Sequence, residues 1–149
     1  MVLNKSDPTV QLGDWQDLKD LALPLRISVF VQEQGVPQDL ENDEYDDISI
    51  HAVIVGDDNH AIATGRLLIT EHNTAKIGRL AVARPHRGQG LGKLVLRTLL
   101  EQARINGVRK AKLHAQCSAE RFYRELGFTP SGAPFVEAGI DHVLMVKDI

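Results

Sequence analysis

The sequence predicts an α/β domain built on a mixed central sheet, and three observations carry that prediction. The predicted elements run β-α-(α)-β-β-β-α-β-α-β-β, too irregular for an alternating doubly wound fold and suited to an α/β sandwich. An apolar run, Ile77 to Val82, leads into a loop with glycines at alternate positions, Gly88, Gly90 and Gly92, and then into an amphipathic helix. The chain has 149 residues, 43% of them apolar and 25% charged, which suits one domain, 1–149, with a real core.

Taken in order, Thr9 to Leu12 is a short strand, and Asp14 can cap a helix whose apolar positions include Trp15, Leu18, Leu21 and Ala22. Pro24 either kinks that helix or opens its second half. Leu25, Val29, Phe30 and Val31 continue an apolar face as far as Glu33-Gln34-Gly35-Val36-Pro37, where helix should stop. Ile48 to Val55 and His60 to Thr70 read as strands separated by the Asp57-Asp58-Asn59 turn. After Glu71–Thr74 the chain turns into strand Lys76–Val82. Behind the glycine loop, Leu91, Leu94, Val95, Leu99 and Ala103 mark one helical face, stopped by Asn106-Gly107. Ala111 to Gln116 is strand-like. Ser118 can cap a helix through Leu126, with Gly127 at its end. Two strands, near Phe128 and at His142–Lys147, complete the order.

Composition excludes several classes. A net charge of −3 argues against a nucleic-acid partner held by a broad basic surface. The single Cys117 rules out an internal disulfide framework and suits a reducing compartment. No apolar run approaches the ~18 residues of a membrane span, and Met1–Pro8 lacks a signal-peptide apolar stretch. A cytoplasmic location with no membrane partner is the expectation. The six histidines show no metal-ligand spacing with Cys117, so no metal is expected.

The glycine loop is the feature with chemical content. Glycines let backbone N–H groups converge, and the helix start adds unpaired donors and the positive end of its dipole. Such a loop suits a phosphate-bearing ligand. It is not a Walker loop, because Gly92-Lys93 is followed by Leu94 rather than by a metal-binding hydroxyl. Nor is it a dinucleotide fingerprint, which needs Gly-x-Gly-x-x-Gly early in the chain and an acid some 20 residues on. The segment reads Arg87-x-x-Gly90-x-Gly92, and with its flanking strand and helix it resembles the acetyl-CoA pyrophosphate loop of the GNAT superfamily of acyl-CoA N-acyltransferases. The element order is similar to that whole fold. Arg26-x-x-Val29-Phe30-Val31-x-Glu33-Gln34-Gly35 and Phe135-x-Glu137-Ala138-Gly139-Ile140-x-His142 resemble the bacterial YjcF-like subgroup, related to the ElaA-like proteins.

The resemblance implies a mixed sheet in which the strand before the loop splays from its neighbour and offers its backbone to the pantetheine arm. Leu80, Ala81 and Val82 occupy those positions. It implies coenzyme contacts from Arg87, Gly88, Gln89, Gly90, Leu91, Gly92 and Lys93. The segment Ala119-Glu-Arg-Phe122-Tyr123-Arg-Glu-Leu126-Gly127-Phe128 resembles the helix that carries a tyrosine near the coenzyme sulfur. Tyr123 is thus the candidate general acid and Phe122 a coenzyme neighbour. A phenol with pKa near ~10 is protonated at neutral pH and can donate to a departing thiolate. Relatives often carry Asn seven residues before the tyrosine; here that position is Gln116, the same amide on a longer stem. Where some relatives have a glutamate at the start of the coenzyme strand, this chain has Lys76. The base is then sought among Glu33, Glu41, His114, Glu137 and His142, with Glu33 and His114 preferred.

The activity implied is direct transfer of acetyl from acetyl-CoA, as cosubstrate, to a small-molecule or protein amine, with a homodimer compatible. A non-catalytic acyl-CoA-binding regulatory module is the alternative, and an assembly subunit docking a basic protein is a third. Asp39-Leu-Glu41-Asn-Asp43-Glu44-Tyr45-Asp46-Asp47 packs six acids into nine residues without a base. Read alone, it is a solvated loop; the resembled fold usually places this segment at the acceptor entrance, which implies an acidic rim that attracts a cationic amine.

Overall fold

A computed structural model describes residues 8–41 and 43–149; the expectation made for Met1–Asp7 lies outside the described residues. Seven strands form one sheet in the order β1-β2-β3-β4-β5-β7-β6. They are β1 Val10–Gly13, β2 Ile50–Val55, β3 Ala61–Ile69, β4 Thr74–Val82, β5 Lys110–Gln116, β6 Thr129–Glu137 and β7 Ile140–Asp148. Every pairing is antiparallel except β4 with β5. The mixed sheet follows from the chain order. Tight turns join β2, β3 and β4, whereas a helix must carry the chain from β4 to a parallel β5.

The helices are α1 Trp15–Arg26, a one-turn α2 Gln38–Glu41, α3 Leu91–Ile105 and α4 Glu120–Glu125. Asp14 caps α1 by accepting from the Asp17 amide at 2.9 Å. The helix runs through Pro24 to Arg26 and then widens into a π-helical segment, Ile27–Glu33. Proline removes one N–H from the ladder and crowds the carbonyl four residues back. Gly35 ends the segment with φ of 73°.

Alternation along β2 assigns the two faces. Ala52 and Ile54 pack with Leu67, Ile77, Val95, Leu96 and Leu99 beneath α3, while Val53 packs with Trp15, Leu18 and Ala22 beneath α1. Gly65 lets α3 approach: a Cβ there would lie 2.9 Å from Val95 Cγ1 and 3.1 Å from Leu99 Cδ1. The second crossover departs from expectation at its start. Ser118 does not cap a helix; Cys117–Ala119 is a 3-10 turn, and α4 begins behind Ala119 with no side-chain cap. Its end is as expected, with Gly127 at φ 93°. Among the described residues no helix is long and apolar enough to cross a membrane.

Candidate active site

Two irregularities in β4 make the site. Its parallel pairing with β5 runs only from Thr74↔Lys110 to Ile77↔Leu113. Beyond that the strands part, leaving Gly78–Val82 facing His114 and Gln116 across a cleft of about 1000 Å³. The second is a bulge against β3: Arg66 pairs with Gly78 and Thr64 with Ala81, so Arg79 and Leu80 together oppose Gly65. Arg79 has φ of 53°, uncommon for a residue with a Cβ. The extra residue resets the alternation. Leu80 points toward α3 beside Gly65, and Ala81 joins Leu25 and Val29 under α1.

The glycine loop closes one end of the cleft. Gly88 and Gly90 both have φ of 81°, and a Cβ on either would meet nothing within 4 Å. Their space is open on the protein side, and Gly90 leads directly into α3, a helix long enough to present a real dipole. Gly92 is enclosed: a Cβ would sit 3.4 Å from Val82 Cγ2 and 3.7 Å from Phe122 Cζ. Leu91 and Lys93 also line the cleft, whereas Gln89 is exposed and does not line it. An open, positively polarised cradle beside a parted strand is what a long pyrophosphate-bearing ligand with a flexible arm requires.

Several residues behave differently from expectation. Arg87 lines the cleft, but its guanidinium is already engaged. Its Nη2 bonds Glu33 at 2.7 Å, and its Nε donates to the Val82 carbonyl at 3.0 Å, so that carbonyl is already engaged. Glu33, expected as a base, lies outside the cleft lining, and the Arg87 hydrogen bond holds its carboxyl below the usual value, with Arg84 adding to the pull. A carboxylate stabilised in its charged form is a weak proton acceptor. Gln116 spans the cleft mouth, donating from Nε2 to Gln34 Oε1 at 2.8 Å. Gln34 was not expected at the site, and only tertiary structure brings the two together.

His114 and Tyr123 do line the cleft. His114 Nδ1 lies 3.1 Å from Glu137 Oε1, and its ring meets Phe135 edge-on at 5.0 Å. A carboxylate can only accept, so Nδ1 carries a proton and Nε2 is the nitrogen turned away from Glu137. His142, stacked on Phe135, donates from Nδ1 to the Ile140 carbonyl at 2.7 Å and turns Nε2 toward Glu137 Oε2 at 3.8 Å. Three residues weighed separately in the sequence thus form one cluster. Tyr123 packs edge-on against Phe122 and Phe128, and burial pushes its phenol up to about 12.

The acidic run borders the cleft through Leu40, Glu41, Asp43 and Tyr45, but half of its acids are not solvated. Glu41 and Asp46 are each 1% exposed. Asp46 accepts from Arg26 Nη1 at 2.8 Å and Nη2 at 3.0 Å, and from Arg66 Nη1 at 2.9 Å. Glu41 pairs with Arg26 Nε, and Asp43 with Arg66 and Arg79 at 2.7 and 3.0 Å. Burial alone would raise Asp43 and Asp46, but the arginine bonds and charges outweigh it and hold both below the ordinary value. Arg26 also stacks 4.9 Å over Trp15. Only Asp39, Glu44 and Asp47 of the six remain exposed. The missing bases come from α1, β3 and β4, too distant in sequence to be seen with the run. Arg26 on the apolar face of α1 was the one available signal.

A mixed sheet that parts beside a glycine-loop helix defines a CoA-dependent acyltransferase architecture. Residues 16–149 match the family described as "Acetyltransferase (GNAT) domain". The chain is 40% identical over 130 residues to YyaT of Bacillus subtilis (strain 168), covering 86% of this chain and 87% of that protein. It is 35% identical over 134 residues to YjcF of the same organism, named an N-acetyltransferase, covering 89% and 94%. The Escherichia coli ElaA crystal structure superposes with a TM-score of 0.83 at 25% identity, covering 95% of this chain and 99% of that one. The chain therefore belongs to the GNAT family of acyl-CoA N-acyltransferases, in a bacterial subgroup with YjcF and ElaA, and the fold implies a CoA-linked acyl donor.

Proposed function

We propose that this protein is an N-acetyltransferase that moves the acetyl group of acetyl-CoA directly onto an amine. The observation that carries the reading is the parting of β4 and β5 beyond Ile77 and Leu113, which opens a cleft between the glycine loop and the His114–Glu137 pair. When bound, the coenzyme supplies an activated thioester. The Gly88, Gly90 and Gly92 backbone and Lys93 would hold its pyrophosphate. Leu80, Ala81 and Val82 would flank its arm, beside Gln116 and Phe122. Arg87 would join them by exchanging Glu33 for phosphate.

His114 Nε2 is the base in this reading. Glu137 orients the ring and stabilises the imidazolium that forms when His114 takes a proton from the incoming ammonium, directly or through water. A C–N bond forms as the C–S bond breaks. Of the two protons the ammonium loses, one ends on the sulfur and one reaches solvent. Tyr123 serves the sulfur as a hydrogen-bond donor. A phenol at about 12 lies some 3.5 units above an ordinary thiol near ~8.5, so handing over its proton outright is uphill by roughly 5 kcal/mol.

The test is thiol release from acetyl-CoA across an amine panel, repeated with His114→Gln. Removing the base should lower kcat by about 10²-fold while leaving acetyl-CoA binding intact. An unchanged kcat with a verified acceptor removes His114 from the mechanism. Acetyl-CoA binding without release of thiol to any small or protein amine favours the non-catalytic module.

A further inference from the structure

The end of the cleft farthest from the glycine loop has an uneven distribution of charge. The β4 bulge sets Gly78 and Arg79 side by side on the face that Arg66 shares as the cross-strand partner of Gly78. At Gly78 the floor is bare: the nearest atom to a Cβ there would be Arg66 Nε, at 4.0 Å. Lys76, two residues earlier on the strand, also lines this end.

Arg26, Arg66 and Arg79 balance Glu41, Asp43 and Asp46 one for one. Lys76 has no carboxylate within 4.0 Å among the described residues, so along this wall of the cleft it is a cation without an ion-pair partner. Its neighbours have donors to spare. Arg79 uses Nε and Nη2 on the Leu40 and Glu41 carbonyls and Asp43, leaving Nη1 without a bond among the described residues. Arg66 spends both Nη atoms on Asp43 and Asp46, leaving Nε. Across the cleft stand the Glu137 carboxylate and the His114 ring bonded to it.

We infer that the acceptor is a small amino acid type of molecule, an amine carrying its own carboxylate. The carboxylate lies over Gly78, held by Lys76 with Arg66 Nε and Arg79 Nη1, and the amine faces His114 and Glu137. One lysine without a partner matches a monoanion. A phosphate dianion would bring an uncompensated charge up to Asp43 and Glu41. The inference rests on the acyltransferase reading above and names its substrate class.

The experiment takes the proteinogenic L-amino acids, each beside its carboxamide and its decarboxylated amine, with acetyl-CoA and a thiol-release readout. At least one amino acid should exceed its carboxamide in kcat/KM by about 10²-fold or more, because the carboxamide leaves a cation without a charged partner. Lys76→Met should pull that ratio toward one. Carboxamides or simple amines turned over as well as their amino acids, a ratio unmoved in Lys76→Met, or no turnover of any amino acid would each overturn the inference. Acetyl-CoA titrated against the same samples separates the two failures: retained binding leaves the acyltransferase reading standing, and absent binding removes it as well.

Discussion

Replacing Asp46 by Asn isolates the buried ion cluster. Its carboxylate, 1% exposed, accepts three guanidinium N–H groups from two arginines at 2.8 to 3.0 Å. The amide is nearly isosteric, but its single oxygen cannot accept all three, and its NH2 is turned toward donors. Arg26, 1% exposed, and Arg66 are left with one negative charge fewer. Removing one partner of a buried ion pair costs about 3–5 kcal/mol. At roughly 2–4 °C per kcal/mol for a domain of this size, Tm should fall by about 6–20 °C. Because folding depresses the Asp43 and Asp46 carboxyls, their contribution is complete above the unfolded value near ~3.9 and is lost as pH falls through the lower folded values. The gap between wild type and Asp46→Asn, measured by urea unfolding, should therefore be wide at pH 7 and 5 and close below about pH 4. A variant within about 0.5 kcal/mol of wild type at pH 7 would show that these acids are solvated after all.

Tyr123→Phe, which removes the hydrogen-bond donor to the sulfur, should keep acetyl-CoA affinity and lower kcat by about 10²-fold, and the wild-type rate should show no fall from phenol ionisation below about pH 10, since burial pushes that group up to about 12. An unchanged kcat returns Tyr123 to a packing role. Gly65→Ala should destabilise the fold by about 1–3 kcal/mol in denaturant unfolding, because its Cβ would intrude on Val95 Cγ1 at 2.9 Å; equal stability would mean α3 yields freely. His51 lies 4.7 Å from the Trp15 ring and 2.9 Å from the Asp46 carbonyl, and burial lowers it from the ordinary histidine value. The unfolded chain takes up that proton near ~6.5 and the folded one at lower pH, so wild-type stability should fall as pH drops below about 6.5. His51→Gln should flatten that slope; an equal slope would place its origin elsewhere.

Most of the fold could be read along the chain because its signals are local. Asp14 before Trp15, the Asp57-Asp58-Asn59 turn between β2 and β3, Asn106-Gly107 after α3 and Gly127 after α4 each act within a turn or two. Ser118 misled because its hydroxyl is only one way to begin a helix, and a 3-10 turn led the chain in instead. The glycine loop was legible for the same local reason. The cluster of His114, Glu137 and His142 was not, since it exists only through the register Gln116↔His142 and Phe135↔His142. The acidic run failed most instructively. Its composition is that of a solvated loop, and nothing within several residues reveals that Arg66 and Arg79 arrive from two strands to bury it. The bulge that delivers Arg79 is likewise silent in the sequence, because one extra residue in a strand leaves the apolar pattern almost unchanged.

The central claim is that acyl-CoA seats its pyrophosphate on the loop around Gly90. Calorimetric titration of acetyl-CoA into wild type and Gly90→Asp tests it most directly. At φ of 81° and with open space beyond, Gly90 tolerates no side chain easily, and a carboxylate there would meet the phosphates. One-site binding to wild type, weakened about 100-fold or more in a variant that still folds, is the predicted result. Equal affinity in the two proteins, or no binding to wild type, would contradict it.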